Sequence, residues 1–429
     1  MTRATPRLLL VIGMILAQAA AMQIHKFVSL LAAGTCLILN AADAGSTGAK
    51  AWQVGTPIVT YWAGPALNDA AAAQMAEGGF NLVWCREDEL PTAQRHGLRG
   101  LLQDALLSPA TLDAAAQREK LDALIARVRT QPALDAYFIT DEPSAGAFPG
   151  LGKLVAYLRE RDPAHLAYIN LFPTYANNEQ LGTKGDVVTA YREHLRQFVD
   201  IVRPGLLSYD HYQFAVGHDN DQYFLNLAMI QRAAEDADLP FLNIVQAATW
   251  TPSMRVPNTN EVRYLVFTSA AYGAQGISYY VYCHPGHTGG IALPDGTPTP
   301  LFYELKRANR EFVALAGQLQ PLRLLGAYHT AMREPGCVPL PADAAFHLDE
   351  AKSTARPRGF LVTVFGRGTA ATYACVVNLD YTTAATATVV GLAPLEVFEP
   401  ASGRWSGGKD NSAKLELRPG EGKLVRCRQ

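Results

Sequence analysis

The chain reads as an α/β protein, a (β/α)8 TIM barrel followed by a small C-terminal β-sandwich. Three observations predict it. From about residue 57, apolar β-prone runs alternate with amphipathic stretches of helical period, the pattern of a parallel sheet. The alternation repeats eight times in roughly 270 residues, the number and size of such a barrel. After Pro321 the texture changes to short alternating runs separated by Gly, Asn-Leu-Asp and Pro-Gly turns, as in an antiparallel sandwich. An open doubly wound sheet is the competing architecture, but no glycine-rich phosphate loop follows the first strand.

The strands expected in the first region are Pro57–Trp62, Phe80–Trp84, Gly97–Leu102, Ala136–Ile139, Leu166–Leu171, Gly205–Tyr209, Phe241–Val245 and Gly276–Tyr282. Helical period is found over Ala66–Glu77, Ala110–Arg129, Gly150–Arg161, Thr189–Arg203, Asn220–Ala237, Asn260–Tyr272 and Leu301–Leu319. The sandwich strands expected are Arg358–Val364, Thr372–Leu379, Ala384–Val390, Glu396–Pro400, Lys414–Leu417 and Gly422–Cys427. This divides the chain into residues 1–44, a barrel over 45–322 and a sandwich over 323–429, with the last two closely packed.

Composition excludes some classes. With 429 residues, 49% of them hydrophobic, the chain is globular. Its 37 basic and 39 acidic residues leave a charge of −2, and no basic stripe points to nucleic acid. The N-terminus holds two apolar stretches, Leu8 to Met22 and Phe27 to Ala42. The second follows His25-Lys26 and ends in Ala42-Asp43-Ala44, the layout of a cleaved signal peptide and hence of a periplasmic or secreted protein. Met22 is an alternative start. Gly34, Thr35 and Asn40 interrupt the second stretch, which argues against a membrane anchor and against stable insertion after cleavage. Beyond residue 44 lie Cys85, Cys283, Cys337, Cys375 and Cys427, no two at metal-ligand spacing. Export permits disulfides, so one bridge among the last three is expected. No metal and no cofactor is expected.

The segment from Leu134 to Ser144 is the most informative. An apolar run ends in Asp141 and Glu142 and is closed by Pro143. Alone, this reads more readily as a polar turn leaving a strand than as a site. In a barrel, however, residues just past the strand ends share one pocket. Those positions carry Trp62, Trp84, Glu87, Asn170, Tyr209, Asp210, His211, Gln246, Trp250, Tyr282 and His284 as well as Asp141 and Glu142. Carboxylate pairs supply acid and base, or acid and nucleophile, for glycoside cleavage. Aromatic faces suit the C–H faces of sugar rings, and amides and imidazoles suit hydroxyls. Two neighbouring carboxylates also push their pKa values apart, keeping one protonated. The histidines lack an acidic companion at ligand spacing and read as hydrogen-bonding groups. The expected catalytic residues are Glu142, Asp210 and Asp141; the others named above are expected to bind substrate.

With these residues in view, the chain resembles glycoside hydrolases of the barrel clan that includes family-42 β-galactosidases and cellulase-like enzymes. Ala136–Pro143 stands where that clan has an Asn-Glu-Pro acid/base motif, with Asp141 in place of the asparagine. Glu261–Tyr280, Pro298–Asn309 and residues 358–427 are similar to the clan's later barrel elements and appended sandwich. The resemblance implies a glycosidase acting on an oligosaccharide or glycoside. It also implies a nucleophilic glutamate after strand seven, and Phe241–Trp250 contains none; Gln246 is the nearest polar residue. Three readings stay open. Glu142 is the general acid with Asp210 as base or nucleophile; or Asp141-Glu142 act as in substrate-assisted hexosaminidases, helped by Tyr209-Asp210; or the barrel binds carbohydrate without cleaving it.

Overall fold

The computed structural model describes residues 54–428 except residue 355. The expected signal segment lies outside the described residues. Eight parallel strands form the barrel: β1 (Ile58–Trp62), β2 (Leu82–Cys85), β3 (Arg99–Leu102), β4 (Leu134–Asp141), β5 (Leu166–Leu171), β6 (Leu207–His211), β7 (Phe241–Gln246) and β8 (Gly276–Tyr280). Each is followed by a helix: α1 (Asp69–Glu77), α2 (Leu90–Arg95), α3 (Ala115–Val128), α4 (Phe148–Arg161), α5 (Val187–Gln197), α6 (Tyr223–Asp236), α7 (Thr259–Ala271) and α8 (Pro300–Leu319).

Strands pair in ladder order from β2 through to β8, and β8 pairs with β1. The remaining seam, between β1 and β2, is stitched by Asn81. Its side chain accepts from Val59 N (2.9 Å) and donates to Pro57 O (2.9 Å), while its backbone N–H donates to Val59 O. One amide thus replaces part of a missing ladder.

Parity sorts the side chains. Outward residues such as Tyr61, Tyr209 and Val245 meet the helices, and inward ones such as Ile58, Leu82, Leu101, Leu166, Leu242 and Ile244 fill the barrel. Small inward residues, Thr60, Ser208, Gly276 and Ser278, leave room for Trp62, Trp84, Phe138 and Tyr168. The aromatic rings interlock at centroid distances of 4.8 Å (Trp62–Trp84), 4.7 Å (Trp84–Phe138) and 5.6 Å (Trp62–Phe138).

The strands of the C-terminal sheets pair antiparallel. A six-stranded sheet runs in the order Arg323–His329, Phe360–Arg367, Ala370–Asn378, Gly422–Cys427, Leu395–Glu399, Arg404–Gly407; a three-stranded sheet comprises Phe346–Leu348, Ala385–Gly391 and Ser412–Leu417. One face of the larger sheet joins the barrel's own core through Leu361, Phe365, Cys375, Val377 and Leu424. Helix α7, buried from Glu261 to Ala271, lies between the two. An ionic seam reinforces the contact: Arg263 bonds Glu304 (2.7 Å) and Pro419 O (2.8 Å).

The expected C-terminal disulfide is not formed; all five described cysteines are free. Cys375 is paired in register with Leu424, so Cys427, three residues on, points to the opposite face of the sheet. Cys375 faces the barrel core, and Cys427 packs on the sandwich core.

Candidate active site

The site is built by a register shift. Along β4, Phe138 pairs with Tyr168, but the next pairings are Thr140 with Ile169 and Asp141 with Asn170, so one residue is extra. Strict alternation from the inward Phe138 would send Asp141 outward. The bulge reverses the parity and aims Asp141 into the barrel mouth beside inward Asn170. Glu142 then turns in the left-handed region (φ 43°), its N–H donating to Asn170 O at 2.9 Å. For a non-glycine residue that conformation costs on the order of 1 kcal/mol or more, a type of strain concentrated at functional sites.

Asn170 is the hub. Its Nδ2 donates to Asp141 Oδ1 (3.0 Å) and Asp210 Oδ1 (2.9 Å). Its Oδ1 accepts from Ser208 Oγ at 3.0 Å, and Ser208 Oγ lies 2.7 Å from the Tyr168 hydroxyl. Because Ser208 spends its only proton on Asn170, Tyr168 donates to Ser208, and the chain fixes the amide orientation. Two carboxylates from strands β4 and β6 are thereby held around one buried amide.

Asp210 is 2% exposed. Its Oδ2 has no partner at ordinary hydrogen-bond distance, and the Glu142 carboxyl faces it closely enough for the two to compete for one proton. No Lys or Arg is among the groups acting on Asp141, Glu142 or Asp210. Burial, then the Asp141 charge, pushes the Glu142 carboxyl from 4.5 up to about 7, against a lowering hydrogen bond with Asp210. Burial, then Glu142, raises Asp210 well above the usual carboxylate range. Asp141 is also raised, by burial, although its side chain is reached by solvent; it stands in a cleft, open at the mouth and enclosed elsewhere. Around neutral pH the pair therefore holds one proton, and Asp141 is the accessible charge.

Aromatic residues wall the carboxyls. Tyr175, Tyr212 and Tyr280 stand near enough for the Asp210 charge to act on each phenol. Trp250, 38% exposed, packs edge-on against Tyr212 (4.8 Å) and Tyr280 (4.7 Å). Trp62, Trp84 and Phe138 form the floor. Beside them, at the ends of β2 to β4, a cleft of about 730 Å³ opens, lined by Phe138, Ile139, Gln103, Asp104 and Arg86–Asp88. Among the described residues no group of three His, Cys, Asp or Glu side chains is arranged to hold a metal ion.

Of the residues expected to share the pocket, the structure brings together Asp141, Glu142, Asn170, Asp210, Trp62, Trp84 and Trp250. The others go elsewhere. Tyr209, next to Asp210 and so of opposite parity, is buried against the helices. Tyr282 also points outward, its hydroxyl donating to Gln74 Oε1 (2.6 Å) and its ring on Tyr61 and Phe80. His211 is buried beneath Tyr175, bonded to Asn226 Oδ1 (3.0 Å), and burial lowers its pKa to about 4, so it is neutral. Gln246 staples the neighbouring loops through Phe214 N (2.7 Å) and Arg255 O (2.7 Å). Glu87 is bound by Arg127 (2.6 Å) on the rim of the adjacent cleft. His284 is exposed on the loop after β8, 2.9 Å from His287 Nδ1. Tyr175, Tyr212 and Tyr280 stand at strand ends too, but nothing in their own sequence context separates pocket from core.

No family model matches the sequence, and no curated protein matches it. Solved structures are similar to it in fold. A catalytic mutant of a family-42 β-galactosidase from G. stearothermophilus is 9% identical, over 88% of this chain and 99% of that one, with a TM-score of 0.49. A family-27 β-L-arabinopyranosidase from Geobacillus stearothermophilus, in complex with arabinose, is 10% identical, over 90% and 100%, at 0.46. For a β-galactosidase from the psychrophilic Marinomonas ef1 the values are 12%, 61% and 60%, at 0.42, so this chain spans about three fifths of that protein's length. At these identities and TM-scores the likeness is one of general fold alone.

Proposed function

We propose that the protein is a glycoside hydrolase in which Glu142 is the general acid. The observation that carries this is the convergence of Asp141, Glu142 and Asp210 at the carboxyl ends of β4 and β6, with Glu142 lifted to about 7 inside an aromatic pocket. A carboxyl still protonated near neutral pH can deliver its proton to a glycosidic oxygen, and an oxocarbenium-like transition state is stabilised by the negative charge left beside it. The floor of Trp62, Trp84 and Phe138 offers faces for a sugar ring.

The geometry favours one division of labour among the two catalytic readings. Asp210 is buried, bonded to Asn170 and faces Glu142, so it suits holding and returning a proton rather than attacking an anomeric carbon. Asp141 is the carboxylate that solvent reaches, adjacent in sequence to the acid and aimed by the bulge. That arrangement supports the substrate-assisted reading, in which Asp141 orients the sugar's acetamido group and Glu142 protonates the leaving oxygen. Hydrolysis of a glycan panel, with product stereochemistry followed by NMR, tests this. Turnover lost in Glu142→Gln with sugar binding retained is the expected result. A parent protein that binds sugars but cleaves none would make the barrel a carbohydrate-binding module.

Export belongs to the same proposal. It rests on residues 1–44 and is tested by N-terminal sequencing of the mature protein, expected to begin just after Ala44.

A further inference from the structure

We propose that Tyr280 is a hydrogen-bond donor to the bound sugar, its hydroxyl proton turned into the pocket by His287 and, behind it, His284. The inference rests on the hydrolase reading of the site and adds to it one substrate-binding residue and two positioning residues.

The chain just past β8 carries the three groups. Thr288 and Gly289 pair antiparallel with Thr249 and Ala248, which places His287 next to Trp250. Gly286, in the left-handed region (φ 83°), closes the turn, and His287 N–H donates to His284 O at 3.2 Å. The half-buried His287 ring packs on Tyr280 (5.5 Å) and Trp250 (6.0 Å), and edge-on against His284 (4.5 Å). Its Nε2 lies 3.0 Å from the Tyr280 hydroxyl, and its Nδ1 lies 2.9 Å from His284 Nδ1.

The proton positions along this row follow from its far end. His284 Nδ1 lies 2.6 Å from Pro285 O, and a carbonyl only accepts, so that nitrogen carries a proton. His287 Nδ1 then presents its lone pair to His284, since two N–H groups at 2.9 Å would collide. Burial, then neighbouring His284, lowers the pKa of His287 against the opposing Pro285 carbonyl, so the ring is neutral near neutral pH. Its single proton therefore sits on Nε2 and is donated to the Tyr280 oxygen. The phenol keeps its own proton, for which no further partner exists among the described residues. Tyr280 lies on the inward face of the barrel, where Asp141, Asp210 and Glu142 act on the phenol. Those carboxyls accept protons from a sugar's hydroxyl or amide groups, and no Lys or Arg acts on them. A sugar oxygen that needs a donor finds one in Tyr280, and the bond that the phenol accepts from His287 strengthens the one it donates.

Heteronuclear NMR of the histidine ring nitrogens tests the row without any sugar. His287 is expected protonated at Nε2 and bare at Nδ1, and His284 protonated at Nδ1; a His287 protonated at Nδ1 alone overturns the inference. Binding is then measured by calorimetry with Glu142→Gln on a panel of neutral oligosaccharides that includes N-acetylglucosamine oligomers. Adding Tyr280→Phe should weaken the best binder by on the order of tenfold, and adding His287→Phe, which keeps the ring contacts, by about threefold. With Tyr280→Phe already in place, His287→Phe should cost nothing more, a coupling that packing alone would not produce. Full affinity in Tyr280→Phe, or losses that simply add, overturns the inference. Turnover by the parent protein tests the hydrolase reading separately. No cleavage of the panel, with affinity still lost in Tyr280→Phe, supports the donor role and overturns the hydrolase reading; a panel neither bound nor cleaved overturns both.

Discussion

Replacing Asp141 by asparagine should move the alkaline limb of the pH–rate profile downward. In the proposed mechanism the limb belongs to the Glu142–Asp210 pair, whose proton the reaction needs. Glu142 rises from 4.5 to about 7, with burial the larger cause and the Asp141 charge the second. Burial survives the substitution, so only the lesser part of the rise is removed. The limb should therefore fall by about one pH unit, equivalent to roughly 1.4 kcal/mol of proton affinity. Asparagine keeps an oxygen to accept from Asn170 Nδ2, now at 3.0 Å from Asp141 Oδ1, so the hub is expected to persist. The assay is kcat/KM over about pH 4 to 9 on any glycoside the parent cleaves, because that ratio reports the free enzyme's groups. A fall in rate alone decides nothing, since Asp141 is also expected to touch substrate. A limb that stays near 7 or moves upward would refute the electrostatic assignment.

Other substitutions separate the remaining roles. Glu142→Gln should cost about 10² to 10⁴ in kcat while sparing sugar affinity measured by calorimetry. The same change should stabilise the fold at alkaline pH. A carboxyl whose pKa is raised on folding binds a proton that the unfolded chain has lost, so native stability falls as pH rises from 4.5 through 7, and the penalty is complete above. Thermal melts should then show Glu142→Gln gaining over the parent at pH 8, by at most about 3 kcal/mol, and little at pH 4. Asp210→Asn keeps a neutral, hydrogen-bonding side chain beside Glu142, and a loss below about 100-fold in kcat is expected; a loss beyond about 10⁴-fold would instead identify Asp210 as nucleophile. Asp219, which receives Arg358 and the Tyr381 hydroxyl (2.7 Å) from the sandwich, anchors the loop that carries Tyr212. Asp219→Asn should destabilise by about 2 kcal/mol in denaturant melts and raise KM more than it lowers kcat.

The barrel was legible because its two periods are clean. Strand β5 coincides with the expected Leu166–Leu171, and α8 differs from the expected helix by one residue at its start. The elements that escaped are those whose burial is weak or whose length is short. Helix α2 has six residues with a proline near its start, too few for a 3.6-residue period to register. The strand Arg323–His329 is half-buried along most of its length, so it shows no alternation for the sequence to register. Stability here comes from a partner strand far along the chain, Phe360–Arg367, which local sequence does not encode.

The site was legible in composition and not in orientation, and β4 shows why. A strand's alternation allots each residue a face, and on that rule Asp141 belongs with Tyr137 and Ile139 on the helix side. Only the extra residue between Phe138 and Thr140 returns it to the mouth, and a bulge of this kind is declared by a partner's register, not by its own residues. Where no bulge intervenes, parity holds within the strand, with Asp210 inward and Tyr209 outward; Tyr282, two residues after inward Tyr280, points outward because it lies past the strand's end. Adjacent strand-end residues therefore do not enter a barrel pocket together unless the backbone changes phase. Asp141 and Glu142 both reach it because the chain does so twice in succession, first at the bulge and then at the left-handed turn of Glu142. Two irregularities in four residues would be a costly accident in a purely structural strand. Inserting one residue between Thr140 and Asp141 is the corresponding cut: it should turn Asp141 away from Asn170 and abolish activity while the barrel still melts cooperatively.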